Sequence, residues 1–144
     1  GKKPVAVRWL DVNKGDSVNP EYRSRLVAKD FKNDKREDLF AATPPLEALK
    51  AIISMTTTAN HGEILMINDI SRAFFHAKAK REVFVQIPIE DLELGEEGIC
   101  GRLDYSMYGT RRAATSWQTY YTKVLVQNGF TTGLAAPATL QVLL

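Results

Sequence analysis

Ile64-Leu65-Met66-Ile67-Asn68-Asp69-Ile70-Ser71-Arg72-Ala73-Phe74-Phe75 lies in the middle of a chain of 144 residues and changes character part-way along. Its four leading apolar residues make a short run of the kind that fills a buried strand. Asn68 and Asp69 then stop the run, and Ala73, Phe74 and Phe75 follow at once. A carboxylate at the end of a buried strand is costly unless it is solvated, paired or bound to metal. An acid so placed holds an ion rigidly over a cleft. A plainer reading competes with this one, in which Asp69 caps the first turn of a helix starting near Ile70. The stretch alone leaves both open.

Bulk properties narrow the field. Apolar residues make up 44% and charged residues 25%, ordinary for a globular protein. No apolar run approaches the length of a membrane span, and the start does not read as a signal peptide. The single Cys100 forms no internal disulfide, and His61 and His76 are too few and too far apart for a zinc site. A reducing, intracellular location, cytoplasmic or nuclear and not secreted, is the expectation. Gly1 in place of Met, and an apolar end, predict a piece of a larger protein. Net charge is only +2, but residues 1–36 carry ten Lys/Arg against five Asp/Glu. Residues 81–104 reverse the balance, with two basic and seven acidic residues. A basic first quarter fits phosphate contact, and equally a solvated surface of uneven charge.

Outward from the central segment, local signals mark the elements. Residues 5–12 are β-prone, Asn13-Lys14-Gly15-Asp16 supplies turn chemistry, and Tyr22 to Lys29 reads as a second strand. Arg23, Arg25 and Lys29 fall on alternate positions with Leu26 and Ala28 opposite, so one face is basic. That face is either a phosphate grip or ordinary decoration of an exposed strand. Residues 32–38 form a polar loop. Thr43-Pro44-Pro45 opens a helix at about 45–59, in which Leu46, Leu49, Ile52 and Ile53 make one buried stripe; His61-Gly62 ends it. Ser71 to Lys80 is a short helix or helical turn, Glu82 to Ile87 a strand, and Glu90 to Glu97 a loop or turn ended by Gly95 or Gly98. Ile99 to Leu103 is a brief strand. A second helix runs from about Ala113 to Gln127, with Gly129 as its stop. The order ββ-α-β-α-ββ-α predicts a mixed α+β fold.

Five pieces in this order resemble the reverse transcriptase of copia-type retrotransposons. Arg23-Ser-Arg-Leu-Val-Ala-Lys29 with Phe31 is similar to the family's basic "ARLVA" strand. Leu39-Phe40-Ala41 with Pro45-Leu46-Glu47 resembles "TFAPV…LE", and Asn68-Asp69-Ile-Ser-Arg-Ala-Phe74 matches the catalytic "D-V-x-x-A-F". Val83-Phe-Val-Gln-Ile-Pro88 resembles "IYMEQP". Leu103-Asp-Tyr-Ser-Met-Tyr-Gly109, with Ala113 and Trp117, resembles "L-x-x-S-L-Y-G-L-K-Q-A-P-R-A-W". The resemblance covers roughly residues 8–140.

It implies the fingers and partial palm of a right-hand polymerase, about 1–45 forming the fingers hairpin and about 46–144 palm and fingers elements. It implies RNA-directed DNA synthesis by two-metal catalysis, with Asp69 as catalytic metal-binding carboxylate. The backbone carbonyl of Ile70 completes a half-site for Mg²⁺ or Mn²⁺. Backbone N–H groups around Arg72, Ala73 and Phe74 hold triphosphate oxygens. Phe74 sits beneath the sugar and selects deoxynucleotides, unless it is core and Phe75 faces the cleft. Tyr108 and Gly109 lie beside the incoming base pair, with Gly109 letting backbone approach the nucleotide. Arg111 steadies phosphate, and Arg23, Arg25 and Lys29 compete for the triphosphate. The implied partners are template-primer, deoxynucleoside triphosphates and the rest of a polyprotein: remaining palm, thumb and RNase H.

The chain departs from the family in three places. Gln-Ala-Pro-Arg reads Arg112-Ala-Ala-Thr115, Asp-Pro-Cys reads Ala136-Pro-Ala138, and the paired Asp-Asp that supplies the other metal ligands is absent. From Tyr105 to Leu144 there is no acidic residue. The expectation is truncation before the second catalytic motif and no polymerase activity in this chain. Two rivals follow: a degenerate remnant that binds nucleic acid without chemistry, and an α+β domain with no nucleic-acid role. The apolar tail, Ala135 to Leu144, is expected to be a strand edge seeking a partner and to limit solubility.

Overall fold

Turn chemistry sets the first element. β1 (Val7–Asn13) and β2 (Tyr22–Ala28) pair antiparallel, in register from Val7 opposite Ala28 to Asn13 opposite Tyr22. Asn13 Oδ1 accepts the N–H groups of Gly15 at 3.0 Å and Glu21 at 2.8 Å, closing the loop from its first residue. Asp16 Oδ1 accepts those of Val18 at 2.8 Å and Asn19 at 2.6 Å. Short polar side chains that bond nearby backbone hold such loops without a packed core. The computed structural model describes residues 3–31, 41, 43–58, 64–65, 67–132 and 140–141.

A second antiparallel ribbon joins β3 (Phe84–Gln86) to β4 (Cys100–Arg102). Val5 ties the two ribbons together, donating its N–H to Phe84 O at 2.7 Å and accepting from Gln86 N–H at 2.9 Å. β5 (Thr131–Thr132) and β6 (Leu140–Gln141) make a third ribbon. α1 spans Leu46–Thr58 and α2 Ala113–Gln127, with 3₁₀ turns at Ala73–His76 and Ile89–Asp91. α2 stops where glycine chemistry says it should. Gly129 has φ 89°, its N–H reaches Val126 O at 3.1 Å, and Phe130 N–H reaches Leu125 O at 3.1 Å, the paired bonds of a Schellman stop.

The core is small and sits where the loop 105–109 passes between β2, β3, α2 and the first 3₁₀ turn. Ala28, Ala77, Val83, Val85, Met107 and Ala113 are buried there with Ser106 and Ser116. Ser106 N–H donates to Ala77 O at 2.7 Å, and Ala79 N–H to Asp104 O at 3.0 Å. α2 lies over the 3₁₀ turn, with the Trp117 ring 6.2 Å from that of His76. No helix among the described residues is long and apolar enough to cross a membrane.

Mixed helix and strand is as expected, and three readings are corrected. Ile64, Leu65 and Ile67 belong to no strand and are exposed, Ile64 at 90%. A continuous apolar run becomes a buried strand only when neighbours cover both faces, and no described element does so. α1 forms where expected but has no buried residue; Leu46, Leu49, Ile52 and Ile53 are all exposed. Periodicity specifies an apolar face, not what covers it. Asp69 is not a helix cap, because the helical turn begins only after Arg72, whose backbone is left-handed at φ 53° and ψ 41°. The 32–38 loop, Leu39-Phe40, the His61-Gly62 stop and most of the 135–144 tail lie outside the described residues.

Candidate functional site

β2 and the segment after Asp69 face each other across an open groove of about 670 Å³. Arg23 and Arg25 line it from the strand; Ser71, Arg72 and Phe75 line it from the turn, and Tyr108 from the loop. The volume is that of a small-molecule pocket, and its chemistry is one-sided. Arg23 bonds Glu21 at 2.8 Å, an exposed pair on both sides and so a weak one. Arg25 and Arg72 have no carboxylate partner among the described residues. Guanidinium groups stay charged at any physiological pH and match phosphate oxygens in planar, bidentate fashion. Beside them, Tyr108 carries Phe74 at 4.8 Å and Phe75 at 5.8 Å between ring centroids.

Two anchors fix the loop that presents Tyr108. Ala28 N–H donates to Tyr108 O at 2.8 Å, and Asp30 N–H to Gly109 O at 3.2 Å, so the loop runs along the exit of β2. Gly109 has φ 80°, and a Cβ there would overlap the Ala28 carbonyl. Its glycine is therefore required by the contact with β2. The Asp30 carboxylate, 12% exposed, accepts the Arg81 guanidinium and the Arg111 backbone N–H, the latter at 3.0 Å. Arg72 supplies a third constraint, because a non-glycine residue in the left-handed region stores about 1–3 kcal/mol of strain.

The expected site residues thus separate into groups. Arg23, Arg25, Arg72 and Tyr108 converge on one groove. Lys29 does not; it lines a different groove with Lys3 and Phe31. Phe74 is half-buried behind Tyr108, while its neighbour Phe75 lines the groove. Ala73 opens the 3₁₀ turn and is half-buried. Arg111 is half-buried and held at its backbone by Asp30. Sequence reasoning passes over Ser24, Leu26 and Ser71, which also line the groove, and ranks Phe75 second, although all four adjoin residues it selects.

Asp69 and Ile70 stand exposed just before Ser71, outside the groove lining. Among the described residues no group of three His, Cys, Asp or Glu side chains is placed to hold a metal ion. One carboxylate and one carbonyl do not fit a pair of divalent ions. The described donor set is incomplete for that chemistry.

The groove is thus basic and aromatic-lined, on a scaffold of mixed helix and strand. The family model for Reverse transcriptase (RNA-dependent DNA polymerase) matches residues 1–137, and the chain belongs to that family. Among its relatives is the Retrovirus-related Pol polyprotein from transposon TNT 1-94 of Nicotiana tabacum, 27% identical over 123 residues. That match takes in 81% of this chain and 9% of the polyprotein, so the chain spans a small part of its relative's length. The resemblance to copia-type reverse transcriptases is borne out. The family implies divalent-metal use by the intact enzyme. No solved structure matches the chain.

Proposed function

We propose that this chain contributes the fingers and part of the palm to a right-hand RNA-directed DNA polymerase, and that its groove receives the phosphates of an incoming deoxynucleotide. The observation that carries this is the convergence of Arg23, Arg25 and Arg72 beside Tyr108 and Phe75. Three guanidinium groups neutralise a polyphosphate, and the rings offer flat apolar surface to base or sugar. Residues 1–45 make the fingers in this reading, and 46–144 the palm and remaining fingers elements. Phe75, rather than Phe74, is the ring in position to meet the sugar. Asp69 and the Ile70 carbonyl serve as part of the ligand set for Mg²⁺ or Mn²⁺, an ion that would neutralise charge on the phosphates. Template-primer and deoxynucleoside triphosphates are the partners, together with the rest of the polyprotein.

Titration of the 144-residue chain with dTTP tests the groove. Arg25→Gln and Arg72→Gln should each weaken binding about tenfold or more, the range of a charge-assisted phosphate contact. Unchanged affinity in both variants would sink the reading. The second reading, a nucleic-acid-binding remnant without catalysis, is favoured by the absence, among the described residues, of any group of three His, Cys, Asp or Glu side chains placed to hold a metal ion. Salt-sensitive oligonucleotide binding that survives Asp69→Ala, with no primer extension by the chain, is its signature.

A further inference from the structure

We infer that Asp30 is a positioning residue, which clamps the loop carrying Tyr108 and so sets the ring that meets the nucleoside part of a bound nucleotide. Asp30 does this without touching the ligand. The inference rests on the reading of the arginine groove as a deoxynucleotide site, and adds what orients the half of the ligand that carries no phosphate.

Three segments of the chain meet at this one side chain. Asp30 stands two residues beyond Ala28, the last residue of β2. Its N–H donates to Gly109 O at 3.2 Å, and its Oδ2 accepts the Arg111 N–H at 3.0 Å. The Thr110 N–H goes to Met107 O at 3.1 Å, so Asp30 grips the loop on either side of a turn. The third segment leads into β3, and from it the Arg81 guanidinium reaches the same carboxylate oxygen. The carboxylate is largely covered while Arg81 stands exposed. Charge-assisted bonds of this kind are about twice as strong as neutral ones, and covering them from water strengthens them further. Tyr108 directly precedes the gripped Gly109, so the clamp fixes the direction in which its side chain leaves the backbone.

Neither Asp30 nor Arg81 lines the arginine groove, so an effect on a ligand there passes through the loop. Charge alone predicts one sign for their loss. Removing a carboxylate, and with it the neutralisation of a nearby cation, strengthens binding of a polyanion. Displacing Tyr108 predicts the other sign, and only for a ligand that offers a base or sugar to the ring. Arg23 and Arg25 stay in place in either case, because they belong to the β1–β2 ladder.

Paired titrations of the 144-residue chain with dTTP and with inorganic tripolyphosphate separate the two. Asp30→Ala should weaken dTTP at least about threefold and leave tripolyphosphate within about twofold. Arg81→Gln should act in the same direction, and Arg81→Lys should recover most of the loss. Because Arg81 is exposed, its variants keep the test open where Asp30→Ala does not fold. Arg25→Gln weakens both ligands. A further readout needs no ligand: nuclear Overhauser contacts between the Tyr108 and Phe75 rings, whose centroids lie 5.8 Å apart, should fade in the Asp30 and Arg81→Gln variants.

If Arg25→Gln weakens both ligands while Asp30→Ala and Arg81→Gln leave dTTP unchanged or tighten it, positioning falls and the groove stands. Equal loss of dTTP and tripolyphosphate would make Asp30 a structural clamp with no hold on the ring, and the inference falls. Unchanged contacts between the two rings overturn it whatever the ligands do. Failure of Arg25→Gln to weaken either ligand counts against the groove itself, a result the ring contacts do not depend on.

Discussion

Gly109 shows how one backbone position can hold a site together. Its positive φ and its closeness to the Ala28 carbonyl leave no room for a Cβ, while its own carbonyl and that of Tyr108 accept bonds from Asp30 and Ala28. Gly109→Ala should therefore cost at least about 2 kcal/mol and move Tyr108 away from Phe75. Thermal denaturation reads the first effect, and loss of dTTP affinity in the variant that remains folded reads the second. Asp69 predicts the opposite behaviour. It is exposed, caps nothing, and pairs with no described residue, so Asp69→Ala should leave stability within about 0.5 kcal/mol of its starting value in the same measurement. A loss of about 1 kcal/mol, the size of a lost cap, would restore the capping interpretation. The motif at 68–74 makes Asp69, Arg72 and the adjacent rings legible in the sequence alone. It does not resolve Phe74 from Phe75. A 3₁₀ turn advances about 120° per residue, so the phase set by the left-handed Arg72 decides which ring meets the groove, and no sequence pattern encodes that phase.

At the scale of elements, legibility follows how local the cause is. α2 is readable to its ends because its apolar spacing and Gly129 are local signals, and the β1–β2 hairpin because Asn13, Gly15 and Asp16 carry the loop. The segment 64–67 and the exposure of α1 are not readable in this way, because burial is decided by neighbours. Alternation groups Lys29 with Arg25, but it stops being a guide where β2 ends at Ala28. The hairpin loop makes a pH prediction. The N–H groups of Asn19 and then Val18 hold the Asp16 carboxyl below its ordinary value of 3.8. A depressed carboxylate stabilises the fold above the unfolded value, and that contribution disappears as pH falls through the lower, folded one. Amide exchange at Val18 and Asn19, corrected for intrinsic rate, should therefore lose protection only below about pH 4. Constant protection through that range would show that the carboxylate does not hold the loop. α1 makes the contrasting case, for a thirteen-residue helix with no buried side chain is near the length at which isolated helices become marginal. Its amides should exchange orders of magnitude faster than those of Trp117 to Tyr121, in the interior of α2. Equal protection in the two helices would mean that α1 is covered in solution.

At the scale of the molecule, large apolar side chains stand exposed in two places among the described residues: Leu46, Leu49, Ile52 and Ile53 along α1, and Ile64, Leu65 and Ile67 before Asp69. Surfaces of this kind mark contact with another body. Taken alone in water, the chain has one other way to cover them, which is to associate with itself. Hydrophobic burial of about 25 cal/mol per Å² makes a few hundred Å² of such contact worth several kcal/mol before association costs. The expected outcome in sedimentation velocity is concentration-dependent association at micromolar chain, reduced by Ile52→Lys with Ile64→Lys. The same double variant should leave dTTP binding intact, because neither position lines the arginine groove. A monodisperse monomer that unfolds cooperatively would show instead that these faces are satisfied within the chain, and would remove the argument that α1 and the 64–67 segment await a larger partner.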